Sequence, residues 1–290
     1  MKRFLFFLLL FPSFLYAQDD LLEELKQEEK GWATSIAQGT FKGTRIINGH
    51  SVETRGKNVL EFVISHRFGT IKEGFDTFFG LDDANIRLAL EYGVTDRLTV
   101  ALGRSSLEKT IDAYLKYKVL QQDDKVPISL TAFTSIAYNG QKEINPDIEE
   151  SFQRRTAYTY QLLLARKFSN KLSLQVMPSF VHRNLVLLEK EKNGMFAIGF
   201  AGRYKITQSL AITSEYYLRI NEETDSPYHN AFGIGVDIET GGHVFQLQFT
   251  NARAMVEKSF ITETIDDFFE GDIHFGFNIT RVFYIGRNKK

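Results

Sequence analysis

The chain has 290 residues and nearly balanced charge, with 35 Lys and Arg against 36 Asp and Glu. A net charge of −1 shows none of the basic bias that nucleic-acid binding requires, and the absence of cysteine excludes disulfides, thiolate metal sites and thiol nucleophiles. Aromatic residues make up 13% of the chain, including 26 Phe and 12 Tyr, as is typical of strands and of membrane interfaces.

The N-terminus has the features of an export signal. Lys2 and Arg3 precede an apolar run that begins at Phe4, and the small residue Ala17 follows at a cleavage position. The run is shorter than the about 20 apolar residues of a membrane-spanning helix, which argues against an uncleaved anchor. We therefore expect a cleaved signal peptide over residues 1–17.

Residues 18–57 are predicted to form a periplasmic leader. Its first part is acidic, with Leu21, Leu22 and Leu25 at helical spacing, which favours a short solvated helix or a disordered segment. A first β-hairpin between Thr40–Ile47 and Asn58–Phe68 is an alternative for its second part.

From Asn58 onward, apolar and polar residues alternate with a period of two, which indicates β-strands because successive side chains point to opposite faces. Twelve strands are predicted: Asn58–Phe68, Ala84–Gly93, Leu98–Arg104, Thr110–Leu120, Val126–Tyr138, Thr156–Phe168, Leu172–Arg183, Met195–Ile206, Leu210–Ile220, Ala231–Ile238, His243–Thr250 and Asp272–Ile285. Pro178 lacks a backbone donor in the middle of one strand, so we expect a bulge there.

The connections between these strands are mostly short and long in turn. Short turns such as Thr95–Arg97 alternate with longer charged segments such as Asn139–Gln153 and Asn251–Gly271. This alternation is typical of outer-membrane barrels. The sequence thus predicts an all-β fold, a transmembrane antiparallel up-and-down β-barrel over residues 58–290, with twelve strands, or fourteen if Thr40–Ile47 enters the sheet.

The two faces of the strands differ in chemistry. Ile86, Leu88 and Leu90 share a face that suits lipid, whereas Arg87 and Glu91 share the opposite face, which must line the lumen because a lipid-facing charge costs about 2–4 kcal/mol at the bilayer midplane. The candidate lumen and selectivity residues are Arg87, Glu91, Arg104, Asp112, Lys116, Lys118, Arg203, Glu215, Arg219 and Asp237.

Catalytic chemistry has little support in the sequence. Paired lumenal carboxylates could serve acid–base catalysis or bind calcium, but an ion-pair network that fills the lumen explains them more simply. No hydrolase, metalloprotease or nucleotide-binding motif occurs, so we expect no catalytic residues, no metal and no cofactor. The acidic segment Glu263–Glu270 is expected to be a solvated external loop.

Several sequence blocks together carry a family resemblance. They read SHRFG, FFGLDDANIRL, EYGVTDRLTVALGRSS, KTIDAYLKYK and, near the C-terminus, FGFNITRVFYIGR. In these blocks the chain resembles an uncharacterised outer-membrane β-barrel family, DUF5777. The resemblance implies a barrel and offers no catalytic residues to transfer. The basic residues of this chain near Lys116 and Lys118 could form a constriction that selects anions, or they could pair with Glu61 and Glu91.

The leading functional hypothesis is a narrow channel or transporter for small solutes, because about twelve strands leave only a narrow polar lumen. A closed barrel that presents loops to partners is the alternative, and a barrel enzyme is a weaker one. We expect the protein to lie in the outer membrane of a Gram-negative bacterium, in contact with membrane lipid and with the outer-membrane insertion machinery, and to bind no nucleic acid.

Overall fold

The computed structural model describes residues 39–141, 151–186, 191–221, 226–240 and 243–286. The predicted signal peptide, and the leader up to residue 38, lie outside these ranges. Within them the chain forms twelve strands: β1 (Val59–Thr70), β2 (Ala84–Gly93), β3 (Leu98–Ser105), β4 (Ile111–Leu120), β5 (Ser129–Tyr138), β6 (Thr156–Lys167), β7 (Leu172–Arg183), β8 (Gly194–Lys205), β9 (Leu210–Arg219), β10 (Phe232–Thr240), β11 (His243–Thr250) and β12 (His274–Tyr284).

The strands form one closed antiparallel barrel. Each strand pairs with its neighbours in sequence, and the sheet closes where β1 pairs with β12. Ile64 of β1, for example, lies opposite Leu88 of β2 and Ile279 of β12. The predicted twelve-stranded up-and-down barrel is confirmed. The fourteen-stranded alternative is wrong, because in the described chain Thr40–Ile47 joins no strand of the barrel.

The two faces of the wall are divided as the period of two predicts. On β2, Ile86, Leu88 and Leu90 are 41%, 45% and 48% exposed on the outside, whereas Arg87 and Glu91 are buried in the lumen. Because side chains alternate along every strand, the apolar set forms a continuous outer surface and the polar set fills the interior.

Pro178 does not cause the bulge that the sequence led us to expect. The register of β6 and β7 is the same on both sides of it, with Gln161 opposite Ser179 and Leu164 opposite Val176. Pro178 faces outward and lies opposite Ile198 of β8. The sheet therefore accommodates the missing donor without an inserted residue.

The connections divide between the two ends of the barrel. Those that follow β2, β4, β6, β8 and β10 lie at one end, here called the turn end, together with the start of β1 and the end of β12. Ile285 N–H donates to the carbonyl of Asn58 at 2.8 Å and so joins the start of β1 to the end of β12 there. The opposite end, here called the loop end, carries the longer connections.

Residues 39–57 are called the lumenal hairpin below; most of residues 40–52 are buried in the lumen, and Lys57 is exposed at the turn end. Arg45 and His50 form a β-bridge, and Ile46 N–H donates to the carbonyl of Gly49 at 2.9 Å. The segment enters from the turn end, reverses at Ile46–Gly49 and returns to the turn end before β1. The sequence leaves open whether residues 18–57 lie inside the barrel or below it, and the structure places most of residues 39–57 inside.

A second segment enters the lumen from the loop end. The β11–β12 connection contains a six-residue helix, α1 (Glu257–Thr262), whose Phe260 and Ile261 are buried against the barrel interior. Phe260 packs edge-on against Tyr217 of β9, with ring centroids 5.1 Å apart. The first half of the long Asn251–Gly271 connection is thus inside the barrel, whereas Glu263–Glu270, predicted as a solvated external loop, is half-buried to exposed except for Thr264. Nowhere in the described chain is a helix long and apolar enough to cross a membrane.

Substitution by a charged residue on the outer face tests whether that face contacts lipid. Leu90→Arg, near the middle of β2, is expected to cost about 2–4 kcal/mol in the free energy of unfolding, because an arginine at the bilayer midplane loses its hydration. Ile206→Arg places the same charge at the β8–β9 turn and is expected to cost about 0–1 kcal/mol. Urea unfolding in lipid vesicles compares the two, and equal losses would contradict the assignment.

Candidate functional site

One carboxylate of the wall holds the turn of the lumenal hairpin. Glu215, on β9, accepts hydrogen bonds from the backbone N–H groups of Ile47, Asn48 and Gly49 at 3.2, 2.7 and 3.0 Å. These donors point away from the tight turn and would otherwise be buried without partners. A carboxylate that accepts several N–H groups forms charge-assisted bonds, so Glu215 is the main polar anchor of this turn.

Arg67 of β1 binds the same turn through the turn's hydrogen-bond acceptors, whereas Glu215 binds its donors. Its guanidinium donates to the carbonyl of Ile47 at 3.1 Å and to the side-chain oxygen of Asn48 at 2.8 Å. Glu215 thus accepts hydrogen bonds from the N–H groups of the turn, and Arg67 donates hydrogen bonds to its oxygen atoms. The two wall residues fix the position of the turn from two different strands.

The arms of the hairpin contact the predicted charges of β2 and β4. Lys116 donates to the carbonyl of Glu53 at 2.5 Å and to that of Thr44 at 3.3 Å, so it links the two arms. Glu91 accepts from the Thr44 hydroxyl at 3.0 Å and from the hydroxyl of Tyr114. Lys118 lies 3.7 Å from the Glu53 carboxylate. Lys116 therefore binds the backbone of the hairpin.

Arg87 and Asp112 form a pair within the wall itself. Arg87 Nε lies 2.9 Å from Asp112 Oδ1, and a second guanidinium nitrogen bonds the other carboxylate oxygen. Gly103, between them on β3, makes the pair sterically feasible, since a Cβ there would lie 2.8 Å from Asp112 Oδ1. Glycine on the lumenal face thus leaves room for a bulky ion pair.

The remaining predicted lumen residues form hydrogen bonds and ion pairs near the two ends of the barrel. Asp237 accepts from Gln246 Nε2 at 2.9 Å and lies 4.0 Å from Arg203 Nε. Gln246 also donates to the carbonyl of Ile46 at 3.0 Å, which connects this group to the hairpin. Arg219 donates to the carbonyl of Tyr228 at 2.5 Å and so ties down the β9–β10 connection at the loop end.

The prediction that Arg104 faces the lumen is wrong. Its neighbours Gly103 and Ser105 are buried inside the barrel, so the period of two places Arg104 on the outer face of β3. There its guanidinium donates to the carbonyl of Ser105 at 2.7 Å. Its position close to the loop end lets a long charged side chain reach the polar interface.

Sequence reasoning missed the contact where the two inserted segments meet. Glu257 of α1 lies 3.3 Å from Arg45 Nη2 and 3.1 Å from His50 Nε2, and all three side chains are at most 3% exposed. Arg45 also donates to the carbonyl of Met255 at 3.2 Å. The Asn48–Gly49 dipeptide between apolar and polar runs was a usable hairpin signal, but nothing local placed that hairpin in the lumen.

The residue after Glu257 faces the loop end instead. Lys258 Nζ lies 2.9 Å from Glu108 Oε2 and 2.8 Å from Glu263 Oε2. Burial alone would lower its pKa, but the carboxylates of Glu263 and Glu108 outweigh burial and raise the pKa of Lys258. Lys258 is therefore a charged anchor. Two adjacent residues of α1 thus bind different parts of the molecule: Glu257 binds the lumenal hairpin, and Lys258 binds acidic residues at the loop end.

Comparison with known proteins identifies the family to which this barrel belongs. The sequence matches the family described as a membrane bound beta barrel domain, DUF5777, over residues 41–283. The chain belongs to this family. No curated protein sequence matches it.

Solved structures with a related barrel include two porins and an outer membrane channel. The NanC porin is 10% identical with a TM-score of 0.48, covering 78% of this chain and 98% of its own. The KdgM porin is 8% identical with a TM-score of 0.46, at 78% and 99% coverage. The COG4313 outer membrane channel from Pseudomonas putida F1 is 15% identical with a TM-score of 0.46, at 80% and 98% coverage. Likenesses this distant carry no argument about function.

Each end of the DUF5777 barrel contributes one segment to its lumen. The lumenal hairpin fills it from the turn end and α1 from the loop end, and Glu257 joins the two insertions. Among the described residues, no group of three or more His, Asp or Glu side chains is arranged to hold a metal ion. Polar contacts hold both insertions in the lumen.

Substitution of Gly49 is expected to unseat the hairpin. A Cβ at Gly49 would overlap the Tyr217 hydroxyl and lie 3.1 Å from its Cζ, so Gly49→Ala overpacks the buried turn at a cost of about 1–3 kcal/mol. We expect tryptic cleavage within the hairpin to accelerate about tenfold or more in the folded protein. Gly56→Ala is the control, since its Cβ would meet only ordinary contacts at 3.7 Å or more. Unchanged cleavage of Gly49→Ala would contradict the seated turn.

Proposed function

We propose that this protein is a gated outer-membrane channel for small solutes in a Gram-negative bacterium, closed by its lumenal hairpin. The observation that carries the proposal is the path of that hairpin. It enters and leaves the barrel at the turn end and pairs with no wall strand within the described chain. It can therefore withdraw without breaking any hydrogen bond between the strands of the barrel wall.

The contacts that hold the hairpin support a reversible closure. Wall residues such as Glu215, Arg67 and Lys116 bind it through hydrogen bonds, and water can replace these bonds on both partners once the lumen opens. Apolar contacts of Ile46 and Ile47 add to the closed state. The free energy needed to withdraw the hairpin is then smaller than that needed to expose a wholly apolar core. Water replaces the lost hydrogen bonds, whereas it does not compensate for the exposure of apolar surface.

The wall that the hairpin would uncover suits the passage of solutes. It carries charges of both signs, including Glu61, Glu91 and Lys116, and the wall pair of Arg87 with Asp112. A twelve-stranded lumen lies between the filled eight-stranded barrels and the open sixteen-stranded porins. We therefore propose a narrow aqueous path with selectivity set by charged side chains.

Two features of the chain, in addition to its family, support the proposed outer-membrane location. The predicted signal peptide at residues 1–17 directs export, and the apolar outer face of the barrel suits a bilayer. In this setting the turn end faces the periplasm and the loop end faces the outside. Membrane lipid and the insertion machinery are the proposed partners.

A closed interaction barrel is a second candidate, and the filled lumen favours it. If the insertions never move, the external connections would be the functional surface. An enzymatic role is not proposed, because the lumenal carboxylates that could serve it have structural partners: Glu91 binds Thr44, Glu215 binds the hairpin turn, and Asp112 binds Arg87.

Planar-bilayer recording separates the two candidates. The refolded mature protein is expected to be closed for most of the time, and a variant lacking residues 40–56 is expected to show steady stepwise conductance. Insertion of both proteins is verified by their shift on unheated gels. An inserted barrel that stays silent without the hairpin would overturn the channel proposal and favour the closed barrel.

Point substitutions at Glu215 test the same gate in the full-length chain. Glu215→Ala removes three charge-assisted hydrogen bonds from the hairpin turn, each worth about 1.5–3 kcal/mol, and is expected to raise the open probability about tenfold or more. Glu215→Gln keeps one acceptor oxygen and should have a smaller effect. The proposal would be wrong if neither variant changed the conductance while Gly49→Ala also left it unchanged.

Accessibility of a single cysteine reports hairpin movement directly, because the natural chain has none. Ser51 lies in the returning arm of the hairpin and is fully buried. A thiol reagent added to vesicles is expected to label Ser51→Cys slowly, and about tenfold or more faster when Glu215→Ala is combined with it. Lys57→Cys, at an exposed position, is the control that reacts rapidly in both backgrounds. Equal labelling rates at Ser51→Cys would contradict movement.

A further inference from the structure

The outer face of the barrel carries a groove of about 630 Å³. Its lining residues come from five adjacent strands, β4 to β8, and from Ile220, which follows β9. We call it the wall groove. Leu115, near the middle of β4, lies at one end of it. Ile220 lies at the other end, where its N–H donates to the carbonyl of Phe196 at 2.9 Å. The groove therefore runs from the middle of the wall to the loop end.

The wall groove forms where short outward side chains stand between long ones. Ala132 and Thr134 of β5 and Pro178 of β7 face outward and line it. Tyr160 of β6 lies opposite Thr134 on one side and opposite Phe180 of β7 on the other. The short side chains leave a depression beside the aromatic rings, and the depression crosses several strands.

The aromatic side of the groove is fixed by its own packing. Phe180 and Phe196 lie opposite each other on β7 and β8, with ring centroids 4.7 Å apart. Gly194 gives the ring of Phe180 room toward the loop end, since a Cβ at Gly194 would lie 3.1 Å from Phe180 Cε2. The groove is therefore already formed without a ligand, as small-molecule sites usually are.

The lining of the groove selects an apolar occupant. None of the described residues that line it is Asp, Glu, Lys, Arg or His. Gln161 and Ser179 also line it, but their side chains face the lumen, where Gln161 Nε2 donates to Ser179 Oγ at 2.8 Å. A charged ligand would lose its hydration in the groove without gaining a partner.

The shape of the groove favours a flexible chain over a second copy of the barrel. Four of the twelve strand spacings separate β4 from β8, so the groove follows about a third of the circumference. This is about 19 Å measured across the strands. Two convex barrels touch along a narrow strip and cannot fill a groove that curves away from the contact. A hydrocarbon chain can bend and follow it.

The position of the groove brings it to lipid. It is continuous with the apolar outer surface of the wall, and it opens toward the loop end, which faces the outside. Inside a bilayer, apolar groups associate through van der Waals packing, because lipid chains are as apolar as the protein surface. A chain in a groove is contacted from several sides, whereas a chain on a convex wall is contacted from one.

We propose that the wall groove binds an acyl chain of an outer-leaflet lipid, and that this lipid stays with the barrel while the surrounding lipids exchange. The inference rests on the proposed function only for the outer-membrane location, and it does not require that the barrel conducts. In the outer membrane of a Gram-negative bacterium, the outer-leaflet lipid is lipopolysaccharide. Its head group would lie beyond Ile220 at the loop end.

Lipid counting on the natural protein tests the site. The full-length protein is extracted from outer membranes in a mild detergent and washed, and the lipids that remain are counted by mass spectrometry. Lipopolysaccharide in stoichiometric amount, after phosphatidylethanolamine has been washed away, is the expected result. No retained lipid would overturn the proposal, as would phosphatidylethanolamine or free fatty acid in place of lipopolysaccharide.

Variants locate the lipid in the groove. Ala132→Phe and Thr134→Phe each fill the depression with a ring, and each is expected to lower the retained lipid about tenfold or more. Ala113→Phe is the matched control, because Ala113 faces outward on β4 but does not line the groove. It should retain lipid as the natural protein does. Folding of each variant is verified by its shift on unheated gels.

Three outcomes of the variant experiment would overturn the proposal. The first is retention that is unchanged in both groove variants. The second is an equal loss in the control Ala113→Phe, which would indicate a general effect of an added ring. The third is a dimer in the natural protein that Ala132→Phe dissociates, which would assign the groove to a second copy of the chain.

Two further measurements separate this proposal from the proposed channel. Retained lipid on a barrel that stays silent without its hairpin would sustain the lipid site and refute the channel. Conductance of a barrel that retains no lipid would sustain the channel and refute the lipid site. Recovery of the protein in the inner-membrane fraction would refute the outer-membrane location on which both proposals rest.

Discussion

The pairing of β1 with β12 is the constraint on which the rest of the structure depends. It closes the sheet and pairs the backbone groups of its two terminal strands, which lipid could not satisfy. Closure also sends every second side chain into a narrow interior where charges need partners. Glu215 and Arg67 find those partners on the hairpin, and Arg87 finds one on the wall. The closed wall thus creates the interior in which the hairpin and the wall partners satisfy these charges.

Much of the wall could be predicted because its signals are local. The period of two and the turn residues depend on neighbours in sequence, and the predicted bounds Ala84–Gly93 and Leu172–Arg183 coincide with β2 and β7. Nine of the ten candidate lumen charges follow from the same alternation. Arg104 failed because it was assigned by its closeness to basic residues, although its place between Gly103 and Ser105 puts it outside.

The contents of the lumen could not be predicted, because they depend on contacts between distant parts of the chain. Arg45 and Glu257 are more than two hundred residues apart, and neither lies in a segment with strand periodicity. Lys116 was expected to pair with a wall carboxylate or to line a pore, yet it binds carbonyls of the hairpin. Alternation shows that a side chain points inward, but it does not show what that side chain will meet.

The path of the hairpin has a consequence for how the molecule is assembled. Because both of its ends emerge at the turn end, the wall can close first and the hairpin can fold into it afterwards, without threading a chain terminus through the ring. The segment that carries α1 is different, since it enters from the opposite end and must be carried across the bilayer with β11 and β12. A newly closed barrel would therefore receive its two insertions from opposite ends, one on each side of the membrane.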